Sequence, residues 1–158
     1  MPTPPPKTIR QKLVDAIVAR MQGVDNTQPG SPYQTKPLSV EEWATHYQEE
    51  ELTDGYRLSV CDMLNEPETK SQHDENQTNR LKVQIRIFLS SVTRVADLRR
   101  VTGDVLTAIR ADMRWSGLAF YSEPGADGFI VPAESAGVAG AAVEFTVVYG
   151  SQRFDPYD

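Results

Sequence analysis

A single cysteine, Cys61, stands in this chain, so no internal disulfide can staple it, and a reducing compartment suits it. No histidine or basic residue adjoins Cys61, which removes the usual means of activating a thiol. A small buried apolar role is expected of it instead. Histidine is equally scarce: His46 and His73 lie 27 residues apart in polar segments, without the spacing of metal ligands. Asp74 and Glu75 beside His73 read as a solvated loop rather than a cation site. No run approaches the ~18 apolar residues of a membrane span, and no secretory leader is visible behind Pro2, Pro4, Pro5 and Pro6.

Catalytic signatures are missing too. There is no G-x-S-x-G elbow, P-loop or dinucleotide fingerprint, and Gly125-Ala-Asp-Gly128 is too short and isolated to cradle a phosphate. Serine, histidine and aspartate occur without a spacing that singles out a triad. A small hydrolase or nucleotide-binding protein would need converging titratable groups, and no cluster seeds them. The expectation is a protein that is not an enzyme, with no catalytic residue, cofactor or metal.

What is present is an ordered set of elements in a chain of 158 residues, enough for one core. Leu81, Val83, Ile85, Ile87 and Leu89 alternate with Lys82, Gln84, Arg86 and Ser90, a period of two that predicts a strand. Val92, Val95, Leu98, Val101, Val105, Ile109 and Met113 recur at helical steps. Ser91 or Thr93 can cap this helix, and Gly117 stops it. Gly103 in mid-helix suggests a close approach to a sheet. Trp115 is expected in the core at the helix end rather than as a stacking platform.

Short strands are expected at 118–123 and 129–131, around a Pro124–Gly128 turn. Ala141, Val143, Phe145, Val147 and Tyr149 form a further alternating strand, and Val148 makes part of its second face apolar. That face must be covered within the subunit or by a neighbour.

In the first half, Thr8-x-x-Gln11 resembles a capping box ahead of Ile9, Leu13, Ile17 and Met21, and Gly23 ends that helix. Pro37 makes residues 33–40 an edge strand or no strand. Residues 41–51 suggest a short acidic helix holding Trp43 and Tyr47, and residues 56–63 a strand. Residues 64–79 are the most polar part of the chain and predict a long mobile hairpin loop. The fold class expected is α+β: a mainly antiparallel four-stranded sheet with two helices on one face. The whole of 1–158 would form one domain, with an extended proline-rich start at 1–7 and a tail at 151–158.

Charge alternates by segment. Residues 1–40 carry five basic and two acidic side chains, residues 41–79 two and eleven, residues 80–114 eight and three, and residues 115–158 one and six. Solvated faces account for this simply, whereas self-complementary docking uses it: an acidic patch of one copy meets a basic patch of the next. An adaptor gripping DNA through Arg94, Arg99, Arg100, Arg110 and Arg114 is a further reading. The net charge of −6 disfavours it. The candidate contacts with neighbours are Glu66, Glu68, Asp74 and Glu75 in the polar segment, Arg99 and Arg100 on the helix, and Phe154, Asp155 and Tyr157 in the tail.

The chain resembles the tail terminator (tail completion) proteins of long-tailed bacteriophages and gene-transfer particles. The residues that carry this are the opening helix Ile9–Arg20, the strand Arg80–Ile87, the helix with Ala96-Asp97 and Asp104–Ile109, Trp115-Ser-Gly-Leu-Ala119, Val143–Tyr149 and Asp155-Pro-Tyr157. The likeness spans most of the chain and is strongest from residue 80 onward. It rests on order and spacing, since no one of these strings is diagnostic. The acidic stretch 41–79 is longer than the resemblance leads one to expect.

The resemblance implies a virion structural protein that forms a hexameric ring. Such a ring caps the tail tube, ends its growth and meets the head connector. DNA would pass its lumen without specific binding, and assembly would occur in the host cytoplasm, at the head-proximal end of the tail. A head–tail connector or neck protein of similar fold is the nearest alternative.

Overall fold

The computed structural model describes residues 5–44, 46–53, 55–68, 75–90, 95–130, 138–152 and 155. In chain order the elements are α1 (Ile9–Gln22), β1 (Ser39–Glu42), a 3-10 turn (Glu49–Leu52), β2 (Tyr56–Glu68), β3 (Asn76–Ser90), α2 (Val95–Ala111), β4 (Tyr121–Ile130) and β5 (Val138–Gln152). The strands form one five-stranded sheet in the order β1-β2-β3-β5-β4. It is mixed rather than antiparallel, because β1 runs parallel to β2, while the β2–β3, β3–β5 and β5–β4 pairs are antiparallel. β2, β3 and β5 lie where strands were expected, the two short strands expected at 118–123 and 129–131 are one strand, β4, and β1 is the addition at the edge.

The alternation in β3 and β5 sets the layers. Leu81, Val83, Ile85, Ile87 and Leu89, with Ala141, Val143, Phe145, Val147 and Tyr149, point to one side and are buried. Both helices cover that side. Leu13, Ile17 and Met21 of α1 and Leu98, Val101, Val105, Ala108 and Ile109 of α2 close one hydrophobic cluster with them. The Thr8 hydroxyl accepts from the Gln11 backbone N–H and so caps α1, and Gly23 ends it. Arg20 ties the helices together: it donates to the Ala108 carbonyl at 3.4 Å and reaches Asp112 at 3.3 Å.

After α2 the chain reverses through Trp115, Ser116 and Gly117, all at positive φ. Trp115 is wholly buried and stacks on Phe145 with centroids 5.7 Å apart. Its indole N–H donates to the Ser122 hydroxyl at 2.8 Å, which makes it the core residue expected.

Four expectations are corrected. Residues 64–68 and 76–79 are not loop: they extend β2 and β3, paired from Leu64–Lys82 to Glu68–Thr78. Backbone pairing builds this stretch, so its polar side chains did not announce a strand. Residues 124–128 are not a turn but a bulge, with β4 pairing β5 on both sides of it. A Cβ on Gly125 would lie 2.7 Å from the Glu144 carbonyl oxygen, so only glycine fits there.

Residues 41–51 form no helix beyond the four-residue 3-10 turn Glu49–Leu52; Glu41 and Glu42 belong to β1. Finally, Gly103 faces solvent, and no atom lies within 4 Å of a Cβ built on it, so no close helix–sheet approach explains it. Residues 1–4, the start of the proline-rich segment, and Ser91 and Thr93 lie outside the described residues, and residues 5–7 carry no helix or strand.

Candidate subunit interface

The second face of the sheet is covered at one end only. There Tyr47 packs edge-on against Phe88 at 5.0 Å, with the Arg57 guanidinium 5.4 Å over the Tyr47 ring. Tyr47 and Leu52 are buried, and beneath this cover Ser59 and Cys61 are fully buried, as expected of Cys61. Burial pushes the Tyr47 phenol up to about 12, and the nearby Glu41 charge adds to the effect.

Towards the other end the face lies open. A register shift between Asp62 and Leu64 turns Leu64 onto it, opposite Lys82. Met63, Leu64, Phe120 and Tyr121 are large, apolar and about half exposed. A shallow depression of about 300 Å³ runs between Met63, Lys82, Gln84, Glu144 and Thr146. Val148 is buried on this side, next to Arg80 and Tyr121 in the register, and Arg80 ion-pairs with Glu123. Its apolar patch is therefore covered within the subunit.

The two edges of the sheet are unlike. At the β1 edge Leu38 and Trp43 are 47% and 46% exposed, among the exposed carboxylates of Glu41, Glu42, Glu50 and Glu51. Trp43 has φ 54°, its backbone N–H donates to the Val60 carbonyl, and its indole N–H donates to Asp62 at 2.6 Å. Asp62 in turn binds Arg10 at 2.5 Å. At the opposite edge, α2 and β4 enclose a groove of about 150 Å³, with Leu106, Ile109, Met113 and Phe145 among its apolar lining. Arg99 and Arg110 are exposed on α2, and Arg114 is exposed in the turn that follows it.

A polar cavity of about 290 Å³ lies under the start of α1, bordered by Thr8, Arg10, Asn65, Asn79, Tyr149 and Asp155. The buried Asn79 accepts from Asn65 and donates to Ser151 at 2.8 Å, so its amide is satisfied. The Tyr149 hydroxyl donates to Asn65 at 3.3 Å, and burial pushes that phenol up.

Of the residues named from sequence, Glu66 and Glu68 lie exposed on the outer half of β2, and Glu75 is exposed just before β3. Glu66 is the cross-strand neighbour of Arg80. Arg99 and Arg100 are exposed on α2, and Arg100 pairs with Asp97 at 3.6 Å. Among the described residues no ion pair joins these arginines to Glu66, Glu68 or Glu75. Asp155 is half-buried at the polar cavity and forms a bridge with Gln152. Asp74, Phe154 and Tyr157 lie outside the described residues.

The reading from sequence missed Trp43 as a surface residue and Asp104 as a clamp. Asp104 is buried in α2 and accepts from the backbone N–H groups of Gln34 and Thr35 and from the Thr35 hydroxyl. The one signal available was its charge at a helix position next to the apolar stripe. Among the described residues no three His, Cys, Asp or Glu side chains group as a metal site, and no helix is long and apolar enough to cross a membrane. No family model matches the chain, and no curated protein matches it in sequence.

Proposed function

We propose that this chain is a ring-forming structural subunit of a phage-like tail, acting as the tail terminator: it caps the tail tube, ends its growth and offers a surface to the head connector. The observation that carries the assembly reading is the half-covered sheet. Met63 and Leu64 on β2, and Phe120 and Tyr121 at the start of β4, are left about half exposed at the open end of one sheet face, with β3 and β5 between the two pairs, while helices cover the other face. Large apolar side chains left exposed in pairs on one face are a candidate contact surface.

The unlike edges support a ring in particular. A cyclic assembly joins different patches of identical subunits, and here one edge of the sheet is the short parallel strand β1 and the other the bulged antiparallel strand β4. The step from ring to tail terminator rests on the resemblance in order and spacing of elements. In this reading the partners are further copies of the chain, the tail tube protein and the head connector, and DNA passes through the lumen unbound.

Removing the chain from particle production tests this. Tails of uncontrolled length that fail to join heads are expected. Tails of normal length that lack only heads would favour the connector reading.

A further inference from the structure

Residues 25–44 lie on the subunit without entering its core. None of them is buried, whereas Val24 before them and Tyr47 after them are. Tyr33 and Val40, both partly buried, are the apolar side chains that this segment packs against the core. It is also tied within itself. Lys36 pairs with Asp25 at 2.8 Å, and the Asn26 amide donates to the Gln34 carbonyl at 3.0 Å.

Polar contacts hold the segment to the rest of the subunit at three places. At the first, the buried Asp104 carboxylate accepts from the Gln34 N–H at 3.0 Å, the Thr35 N–H at 2.8 Å and the Thr35 hydroxyl at 2.6 Å. The Thr35 and Tyr56 hydroxyls also meet, at 2.8 Å. Among the described residues, every donor to the Asp104 carboxylate belongs to this segment. At the second, the Leu38 N–H donates to the Tyr56 carbonyl, and β1 pairs with β2 from Ser39–Arg57 to Glu42–Val60. There the Arg57 guanidinium donates to the Ser39 hydroxyl at 2.8 Å and ion-pairs with Glu41 at 3.7 Å. At the third, the Trp43 N–H donates to the Val60 carbonyl and its indole N–H to Asp62. Trp43 has φ 54°, a strained setting for a bulky residue that persists only where its surroundings hold it.

A segment with few buried apolar contacts, held by hydrogen bonds near the surface, opens at a lower free energy than the core. We propose that residues 25–44 form a strap that lifts from β2 as one body while the core stays folded, with Asp104 as its latch. Buried Val24 and Tyr47 anchor its ends. Lifting bares the outer edge of β2, where the Tyr56 and Val60 carbonyls lose their partners and can pair with an extended segment. Such a strap works in a single chain, whether or not copies assemble.

Amide hydrogen exchange of the full chain in rising, sub-denaturing urea tests this. In the unaltered protein the Leu38 and Trp43 amides should be protected roughly 100-fold less than those of β3 and β5, and with little dependence on urea, because lifting exposes little apolar surface. Ile85→Val, a small loss in the buried core, should speed exchange in β3 and β5 about threefold to tenfold and leave Leu38 and Trp43 unchanged, since that packing survives lifting. Asp104→Asn should speed both sets by one common factor, about tenfold, since the latch is lost in lifting and in unfolding alike. Thr35→Val, a milder loss on the strap side, reads the latch if Asp104→Asn fails to fold.

If Leu38 and Trp43 follow urea as steeply as β3 and β5, or if Ile85→Val speeds them equally, the segment opens only with the whole fold and there is no strap. If they exchange early but the latch variants leave them unchanged, Asp104 does not hold the strap and the proposal fails.

Discussion

The Trp115 indole lies nearly parallel to the Phe145 ring, 25° from it, and the Arg20 guanidinium lies 5.6 Å above the indole. One residue thus joins the end of α2, the centre of β5 and the surface of α1. Trp115→Ala should lower unfolding stability by about 3–5 kcal/mol, the usual cost of emptying a large aromatic site. Chemical denaturation checks it; a loss below about 1 kcal/mol would mean the ring is not a keystone of the core.

Two glycines predict opposite signs. Gly103→Ala adds a methyl group to open space in an exposed helix position and should stabilise by roughly 1 kcal/mol. Gly125→Ala drives a methyl group against the Glu144 backbone and should destabilise by about 1–3 kcal/mol. Thermal unfolding of the pair reads both. Equal effects would contradict the bulge in β4.

Acid sensitivity follows from Asp112. The backbone N–H of Ser116, then that of Arg114 and the Arg20 side chain, hold its carboxyl below the ordinary 3.8. A carboxylate lowered in the folded state stabilises above its unfolded pKa, and that stability fades as pH falls through the folded value. Asp112→Asn should therefore cost stability at neutral pH, with the deficit narrowing below about pH 4. Urea midpoints of both proteins from pH 7 to pH 3 measure it; a gap that stays constant would exclude the linkage.

The open end of the sheet gives a prediction on association. Leu64→Lys combined with Tyr121→Lys places charge on exposed side chains and should leave the monomer within about 0.5 kcal/mol of its stability. The same change should weaken binding to the tail tube or to the neighbouring subunit by tenfold or more. Co-sedimentation with tail tubes, beside native mass, separates the two; undiminished association on both counts would show the patch to be idle.

The central elements were legible because their side chains alternate or recur in register with a buried layer: β3, β5, both helices and Trp115. The missed parts depend on backbone and distance. β1 is four residues, Ser-Val-Glu-Glu, held by parallel pairing with β2 and carrying no apolar period. The outer half of β2 holds Pro67 and three polar residues, yet its ladder with β3 continues. Pro124 and Gly125 read as a turn, although a long β5 alongside turns them into a bulge.

The charge partition marks 41–79 as the most acidic segment, with eleven acidic side chains against two basic ones. Trp43's left-handed backbone and its bond to a residue 19 positions on are invisible in a string of letters.

The most direct measurement of the central claim is the native mass of the purified chain across concentration, with electron microscopy of the same sample. The account predicts a closed ring, with six copies as the expected number. A strict monomer at high concentration, together with tails of normal length in its absence, would contradict it.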